Sequence, residues 1–497
     1  MNKIFHSFHP HNYLLAIIIG FQVFRLLLIP FVGIMPQDAY YFYYGQHLDW
    51  SYFDHPGMIG YALRLSSELL GQRVWVLKLT DFTISSISLW MIHQLARKFL
   101  SAHRSLMVTF IFSAGVLWSM LSFNSTPDVP LVLFWTLSLF YYFKAVTENK
   151  WLFWILAGVC SGLAFDSKYT ALLLPFGIIA FTLFSPAHRK QLIQPKLWMS
   201  LLLFVLVSFP VIYWNIQHDF VSFGFQTAER STGMKLSEDS PRLFIGFLIS
   251  QMVLIYPLIF ILLSILIYKY TKRLLFKFKL PALKPLFLLS FSIPTFVGFF
   301  LLAPMYWIKI NWLIPSYISG VILLAMFYKN KWFKTHLYTS IIVQLIIAIT
   351  VIIQPFPIKS DDTFIGWKPL SNQVEQLSTT YPDDFIFSLD NYKTTAVLQF
   401  YLNEKIIYNR NIVGLPSLQY SITQQTDTLI GRNALLIDSE PSFSSDTIQQ
   451  EYPKILENYF DRVELLQPIL IKNNRGITVR KFNVYRCYNY LTTRGYR

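Results

Sequence analysis

Charge is scarce in this chain. Asp, Glu, Lys and Arg make up 14% of its 497 residues, while hydrophobic residues make up 54%. A soluble chain of this length would form two or three domains with polar surfaces, and this composition excludes that. Cysteine is nearly missing as well. Cys160 sits in an apolar run and Cys487 near the other end, so both read as free thiols and no disulfide framework is expected. There is no P-loop and no Gly-rich phosphate fingerprint, which argues against chemistry on a nucleotide. There is no spaced Cys/His set, no HExxH and no Asp-x-Asp pair. No metal site is therefore expected, although Asp38 and Asp54 could ligate a divalent cation. The Gly-x-Ser-x-Gly elbow of Ser-His-Asp hydrolases is absent too. Finally, no internal repeat and no low-complexity linker interrupts the chain.

What the chain does have is apolar runs near 20 residues, the length that crosses a hydrocarbon core of about 30 Å. They fall at residues 12–34, 80–100, 105–123, 129–146, 151–165, 170–184, 197–214, 245–268, 285–303, 312–328 and 337–354. The expectation is a polytopic α-helical membrane protein with about 11 crossings. The first run is too long for a cleaved signal peptide. Arg25 interrupts it, and no small-residue cleavage site follows.

Base outnumbers acid, with 42 Lys and Arg against 27 Asp and Glu. With the N-terminus in the cytoplasm, the inward loops carry Arg97, Lys98 and Arg104; Lys144 and Lys150; Arg189, Lys190 and Lys196; the basic stretch 269–284; and Lys329, Lys331 and Lys334. Glu148 is their only acid. This positive-inside pattern gives the basic balance a membrane explanation rather than a nucleic-acid one. The outward segments are then 36–79, 124–128, 166–169, 215–244, 304–311 and everything after Pro355, and the conspicuous carboxylate clusters fall on this side. Past the sequence Gln354-Pro355-Phe356-Pro357 the chain turns polar and mixed. Strands are expected at 384–389, 434–438, 463–471 and 477–485, and helices at 373–379 and 394–402. The domain division expected is a membrane part, 1–354, and a small extracytoplasmic α/β part, 355–497.

Several outward motifs could carry chemistry. Asp38 precedes Ala-Tyr-Tyr-Phe-Tyr-Tyr. It reads either as the cap of a short helix beside an interfacial aromatic belt, or as a general base for an acceptor hydroxyl. Asp54-His55-Pro56-Gly57 reads as a turn with a capping acid, or as a second carboxylate beside an imidazole, with 58–70 lying amphipathically along the interface. Asp128, in a very short loop, reads as a helix cap or as a third member of the same cavity. Lys168, His218, Lys309 and Asn311 lie beside other spans. Each cation could simply snorkel to the interface. Together with the acids, they suit a lipid phosphate as leaving group.

These motifs resemble the first outer loop and later segments of bacterial GT-C glycosyltransferases, relatives of protein O-mannosyltransferases and of the aminoarabinose transferases that modify lipid A. The resemblance rests on Gln37-Asp38-Ala39-Tyr40-Tyr41, on His47 to Met58, on Thr126 to Leu131, on Gly162 to Ala171, on Pro210 to Phe223 and on Lys309 to Tyr317. It implies a GT-C fold of about 11 to 13 transmembrane helices with an outer α/β domain. It also implies a polyprenyl-phosphate-linked sugar as donor and a lipid, glycan or protein acceptor. Inverting transfer would occur at the periplasmic face of the inner membrane. By resemblance Asp38 is the base and Asp128 supports the site. Asp54, His55, Lys168, His218, Lys309 and Asn311 would contact phosphate or sugar. This chain has Ala39 where many relatives have Glu, His55 where lipid A-modifying members have Lys, and Tyr41 where they have Arg. Those departures weigh against lipid A as acceptor. The competing readings are a transporter or flippase of an anionic or lipid-linked substrate, and an assembly scaffold.

Overall fold

The structure, a computed structural model, describes residues 10–229, 234–328, 331–354, 359–443, 452–473 and 475–491. Lys329 and the 355–357 boundary lie outside the described residues. The first helices are α1 (Pro10–Leu28), α2 (Pro36–Gln46), α3 (Met58–Leu70), α4 (Val74–Phe99), α5 (Ala102–Ala114), α6 (Val116–Phe123) and α7 (Asp128–Glu148). Then come α8 (Trp151–Phe165), α9 (Leu173–Phe184), α10 (Pro195–Val207), α11 (Phe209–Gln217), α12 (Val221–Gly224), α13 (Ser240–Ile255), α14 (Pro257–Lys277), α15 (Leu283–Leu302), α16 (Ile314–Ala325) and α17 (Lys331–Ile353).

Four of these helices are by themselves long and apolar enough to cross a membrane, or up to seven if each bent pair counts as one span. Three runs expected as single spans are broken. The run 105–123 bends by 62° between α5 and α6, 197–214 by 44° between α10 and α11, and 245–268 by 114° between α13 and α14. The last is therefore not one straight crossing. Pro210 and Pro257 enter the second half of two of the pairs within its first turn. A proline disfavours helical backbone in the residue before it, and at the sharpest break Tyr256, just before Pro257, sits at φ 67°. The breaks free carbonyls, and polar side chains meet them. Arg25, wholly buried, donates to Ser113 O and Ser119 Oγ. Tyr256 donates to Ala114 O at 3.0 Å, and Gln344 to the same oxygen at 3.2 Å. Arg25 is thus a staple for a broken helix, a use that hydropathy alone does not reveal.

The C-terminal part contains α18 (Trp367–Thr380), α19 (Lys393–Tyr401) and α20 (Tyr420–Thr423) with six strands: β1 (Phe385–Phe387), β2 (Ile407–Tyr408), β3 (Ala434–Ser439), β4 (Phe460–Leu465), β5 (Ile469–Lys472) and β6 (Thr478–Tyr490). The strand order is β2-β1-β3-β6-β4, with β5 also on β6. The β1 pairings are parallel and the β6 pairings antiparallel. The strand expected at 463–471 is two strands, β4 and β5. Pro468 between them has no N–H to give a ladder.

This domain sits on the tyrosine run of α2, and α19 packs along α2. Phe42 meets Phe400 edge to face at 5.2 Å, and Tyr43 meets Tyr420 at 4.7 Å. The Tyr43 hydroxyl bonds Thr423 Oγ1 at 2.7 Å. Tyr40, Tyr41, Tyr43 and Tyr44 are all buried. The run is therefore a domain interface and not an interfacial belt. At the far end, α7 carries its C-terminus about 30 Å away at 1.5 Å rise per residue. There Lys196 holds Asn149 O at 2.6 Å, and Arg104 holds Ala325 O at 3.1 Å, so these basic loops gather opposite the domain.

The helix pair beneath the domain is held close by glycine. A Cβ on Gly45 would stand 2.7 Å from Gly60 O, and one on Gly60 would stand 2.8 Å from Tyr44 Cβ. Gly60→Val should push α2 from α3 at a cost of about 1–3 kcal/mol. The detergent-solubilised protein should then melt several degrees lower. Gly20→Ala, where a Cβ meets nothing within 4 Å, should not change the melting temperature measurably.

Candidate active site

Where α2, α13, the interhelical segments at 53–55, 124–128, 168 and 307–312, and the C-terminal domain meet, a cavity of about 830 Å³ opens. Six of the residues singled out from sequence line it: Asp54, His55, Asp128, Lys168, Lys309 and Asn311. They come from segments far apart in the chain, and the bundle brings them together.

Asp54 is 8% exposed. Its Oδ1 accepts from the Tyr40 hydroxyl at 2.9 Å and from the Tyr44 hydroxyl. Burial raises the carboxyl above its ordinary value; the Tyr44 and Tyr40 hydroxyls and the charge of Lys309 offset part of that rise. Asp54 O accepts from Gln226 Nε2, which fixes the loop beside the short turn after α12. Asp128, the first residue of α7, is fully buried and engaged. Lys168 Nζ reaches both of its oxygens, at 2.8 and 2.9 Å, and Asn311 Nδ2 donates to Oδ2. One acid thus ties the loop after α8 to the loop before α16.

Asp38 and His218 are not among the cavity's lining residues. Asp38 is fully buried behind its wall. Its carboxylate accepts from Met35 N at 2.6 Å, from Ser125 N at 2.7 Å and from Lys78 Nζ. Lys78 also donates to Phe123 O at 2.6 Å. Asp81, one turn further along α4, accepts from Ser125 Oγ at 2.7 Å. The carboxylate expected as a base is thus fully paired, and its bonds tie the 124–128 loop to α2 and α4. His218 stacks on Trp214 at 4.0 Å, and the Trp214 indole donates to Asp49 Oδ2 at 2.7 Å. Trp214 and Asp49 stand outside the cavity lining as well.

Sequence reasoning missed the rest of the cavity. Gln37, Asn124, Asp362, Asn391, Tyr392, Lys393 and Arg410 also line it. Gln37 Oε1, Asn124 Oδ1 and Asn391 Oδ1 are buried acceptors with no hydrogen-bond partner in the protein. Aromatic rings alternate with them: Tyr40, Tyr41, Phe53, Phe225, Trp307, Trp312 and Tyr392. Amide oxygens that want hydroxyl donors, set among ring faces, suit a carbohydrate. Nothing in the local sequence marks Asn391 or Arg410, since only the docking of the domain brings them to the membrane bundle. Lys78 and Asp81 did carry a signal, as two ionisable groups in an otherwise apolar helix. Among the described residues, no three His, Cys, Asp or Glu side chains gather as a metal site would require.

Comparison with known proteins agrees with this architecture. Residues 54–214 match the family model described as dolichyl-phosphate-mannose-protein mannosyltransferase. The chain is 25% identical over 465 residues to the lipid A galacturonosyltransferase RgtD of Rhizobium johnstonii, covering 90% of this chain and 94% of that one. Its fold is similar to that of ArnT from Cupriavidus metallidurans in the apo state, with TM-score 0.60 at 12% identity over 95% of this chain and 97% of that one. The same protein bound to undecaprenyl phosphate gives TM-score 0.58 at 12% identity, over 98% and 99%. The chain is thus a multi-pass membrane protein with the GT-C fold of ArnT, similar over residues 54–214 to the mannosyltransferase family.

The Asp38–Lys78 pair makes its own prediction. Asp38→Asn should leave Lys78 as an unpaired buried cation and cost roughly 3–5 kcal/mol. The variant should lose monodisperse protein on mild heating. Asp38→Leu combined with Lys78→Met, which removes both charges, should recover part of the loss. A single variant as heat-stable as the parent would show that the pair carries no such weight.

Proposed function

We propose that the chain is a glycosyltransferase that moves a sugar from a polyprenyl-phosphate carrier to a hydroxyl of a lipid acceptor. The reaction would occur at the periplasmic face of the inner membrane. One observation carries the reading: a buried carboxyl, Asp54, faces a cation-lined cavity with orphan amide oxygens and aromatic walls. The kinship with a protein named as a lipid A galacturonosyltransferase supports a glycolipid acceptor. It outweighs the departures at Ala39, Tyr41 and His55. The ArnT structure bound to undecaprenyl phosphate supports a prenyl-phosphate donor.

In this reading Asp54 takes the proton of the acceptor hydroxyl as its oxygen bonds to the sugar C1. The C1–O bond to phosphate breaks, and its electron pair leaves with the polyprenyl phosphate. Lys309 and His55, beside Asp54, receive the charge that develops on that phosphate. A single in-line displacement inverts the anomeric centre. The Asp128–Lys168–Asn311 set holds the opposite wall and orients the sugar. Asp38, which the resemblance names as base, serves as the anchor that keeps the 124–128 wall in place. Gln37 and Asn124 accept hydrogen bonds from hydroxyls of the transferred sugar.

Asp54→Asn keeps the shape and removes basicity. It should lower transfer by at least about 100-fold while the protein still inserts and stays monodisperse. A variant that turns over like the parent would end the assignment. The pH profile follows from the raised Asp54 value. Only the ionised form accepts a proton. Activity should therefore fall as pH drops through a midpoint above the ordinary carboxylate value near 3.9, as transfer rates across a pH series would reveal. The competing transporter reading would gain ground from uptake or lipid flipping by the reconstituted protein in the absence of sugar transfer.

A further inference from the structure

The cavity has a second cationic end that the displacement just described does not use. It belongs wholly to the C-terminal domain. Asn391, Lys393, Arg410, Pro416 and Leu418 line it there. Tyr392 lies between this rim and the carboxyl: it packs on Tyr40 at 4.6 Å, and Tyr40 donates to Asp54. The rim is thus one tyrosine pair away from the reacting centre, so a group held at the rim and a hydroxyl held at Asp54 can belong to one molecule.

Three features mark the rim as a built recognition surface. The Arg410 guanidinium is half-buried and held by a single protein acceptor, Nε to Pro416 O at 2.5 Å. Among the described residues its terminal nitrogens meet no acceptor, and a fork so fixed presents paired donors to a planar or tetrahedral anion. Lys393 meets Asp362 at 3.1 Å, and Asp362 in turn accepts from Gln37 of α2 at 2.8 Å. That carboxylate is half-exposed, so an anion can take its place on Lys393 at small cost. Asn391 sits at φ 28°, a strained left-handed backbone for a non-glycine residue. The strain puts its unpartnered amide oxygen on the cavity wall.

We propose that Arg410 and Lys393 form an anion-selective acceptor subsite, with the Asn391 amide oxygen beside it to take a hydroxyl of the same acceptor, so that the C-terminal domain chooses acceptors carrying a phosphate or carboxylate near the hydroxyl to be glycosylated. This rests on the transferase reading for the identity of the reaction, but not for the binding itself. The donor phosphate is the other source of the same chemistry, and it must lie by Asp54 and Lys309 for C1 to be attacked. The rim therefore serves the acceptor.

The experiment measures binding to the full-length protein in lipid nanodiscs with three probes: lipid A, lipid A stripped of its phosphates, and polyprenyl phosphate. The parent should bind lipid A about tenfold or more tighter than the stripped form. That factor corresponds to about 1.4 kcal/mol, within reach of one charge-assisted pair. Arg410→Gln with Lys393→Gln should reduce the ratio to about one, and Arg410→Lys alone should keep part of it. Lys405→Gln, an exposed lysine outside the cavity, should keep it in full. Melting curves of each variant separate loss of selectivity from loss of fold. An unchanged ratio in a folded rim variant would overturn the proposal. So would an equal loss of polyprenyl phosphate affinity, which would assign the rim to the donor. Phosphate-dependent binding without any sugar transfer would instead remove the transferase reading and leave the subsite standing.

Discussion

The buried ion pair between Asp38 and Lys78 sets the terms for everything built around it. Both side chains are fully out of water, where an isolated charge costs far more than it does at a surface. Neither can relax without stranding the other. The carboxylate also holds two backbone N–H groups, at Met35 and Ser125. Three segments are therefore locked at one point: the start of α2, the middle of α4's first turns, and the loop that delivers Asn124, Thr126 and Asp128 to the cavity. Asp81 joins from below through Ser125 Oγ. The wall of the cavity is held from behind by charge, and the residues that face inward are left available.

That division explains why the first-loop acids could not be ranked from the sequence. Asp38 and Asp54 are both outward aspartates beside tyrosines and beside the first apolar run. What separates them is Lys78, forty residues later in an apolar helix, and a cavity whose far side comes from residues beyond 360. Local pattern does reach some features. The amphipathic 58–70 segment is α3 with the same limits, and the 394–402 helix is α19 to within a residue at either end. The gathering of Asp54, His55, Asp128, Lys168, Lys309 and Asn311 was also legible, because loops at one end of a compact bundle have few other places to go. Helix breaks were not. An apolar run carries the same hydropathy whether it is straight or bent by 114° at Tyr256. The tyrosines of α2 were misread for a related reason: a ring at a membrane interface and a ring under a docked domain have the same sequence signature.

Broken helices also occur in transporters, where unwound backbone coordinates cargo. Here the carbonyls freed at the α5–α6 break are already occupied. Arg25 takes Ser113 O, while Tyr256 and Gln344 share Ala114 O. Ser119 links the two by accepting from Arg25 and donating to Gln344. A cation inside a bundle is often read as part of a substrate path. This one is consumed by the bend it stabilises. The bends give the bundle its shape, and the polar groups inside it serve that shape.

The active cavity is consequently a joint product of two parts that differ in solvent and in chemistry. The bundle supplies charge held in low dielectric, where a carboxyl can be tuned and a leaving phosphate stabilised. The C-terminal domain supplies half-exposed groups, Arg410, Lys393 and Asp362, whose pairings can be exchanged at little cost. The contact between them is made of tyrosine, and tyrosine suits it. The rings bury area against α19, while the hydroxyls of Tyr40 and Tyr44 reach back to Asp54. On the proposed reading, recognition on the domain side and chemistry on the membrane side share side chains. A shift of α19 on α2 would be felt at Asp54 through Tyr40, without any residue of the bundle itself changing.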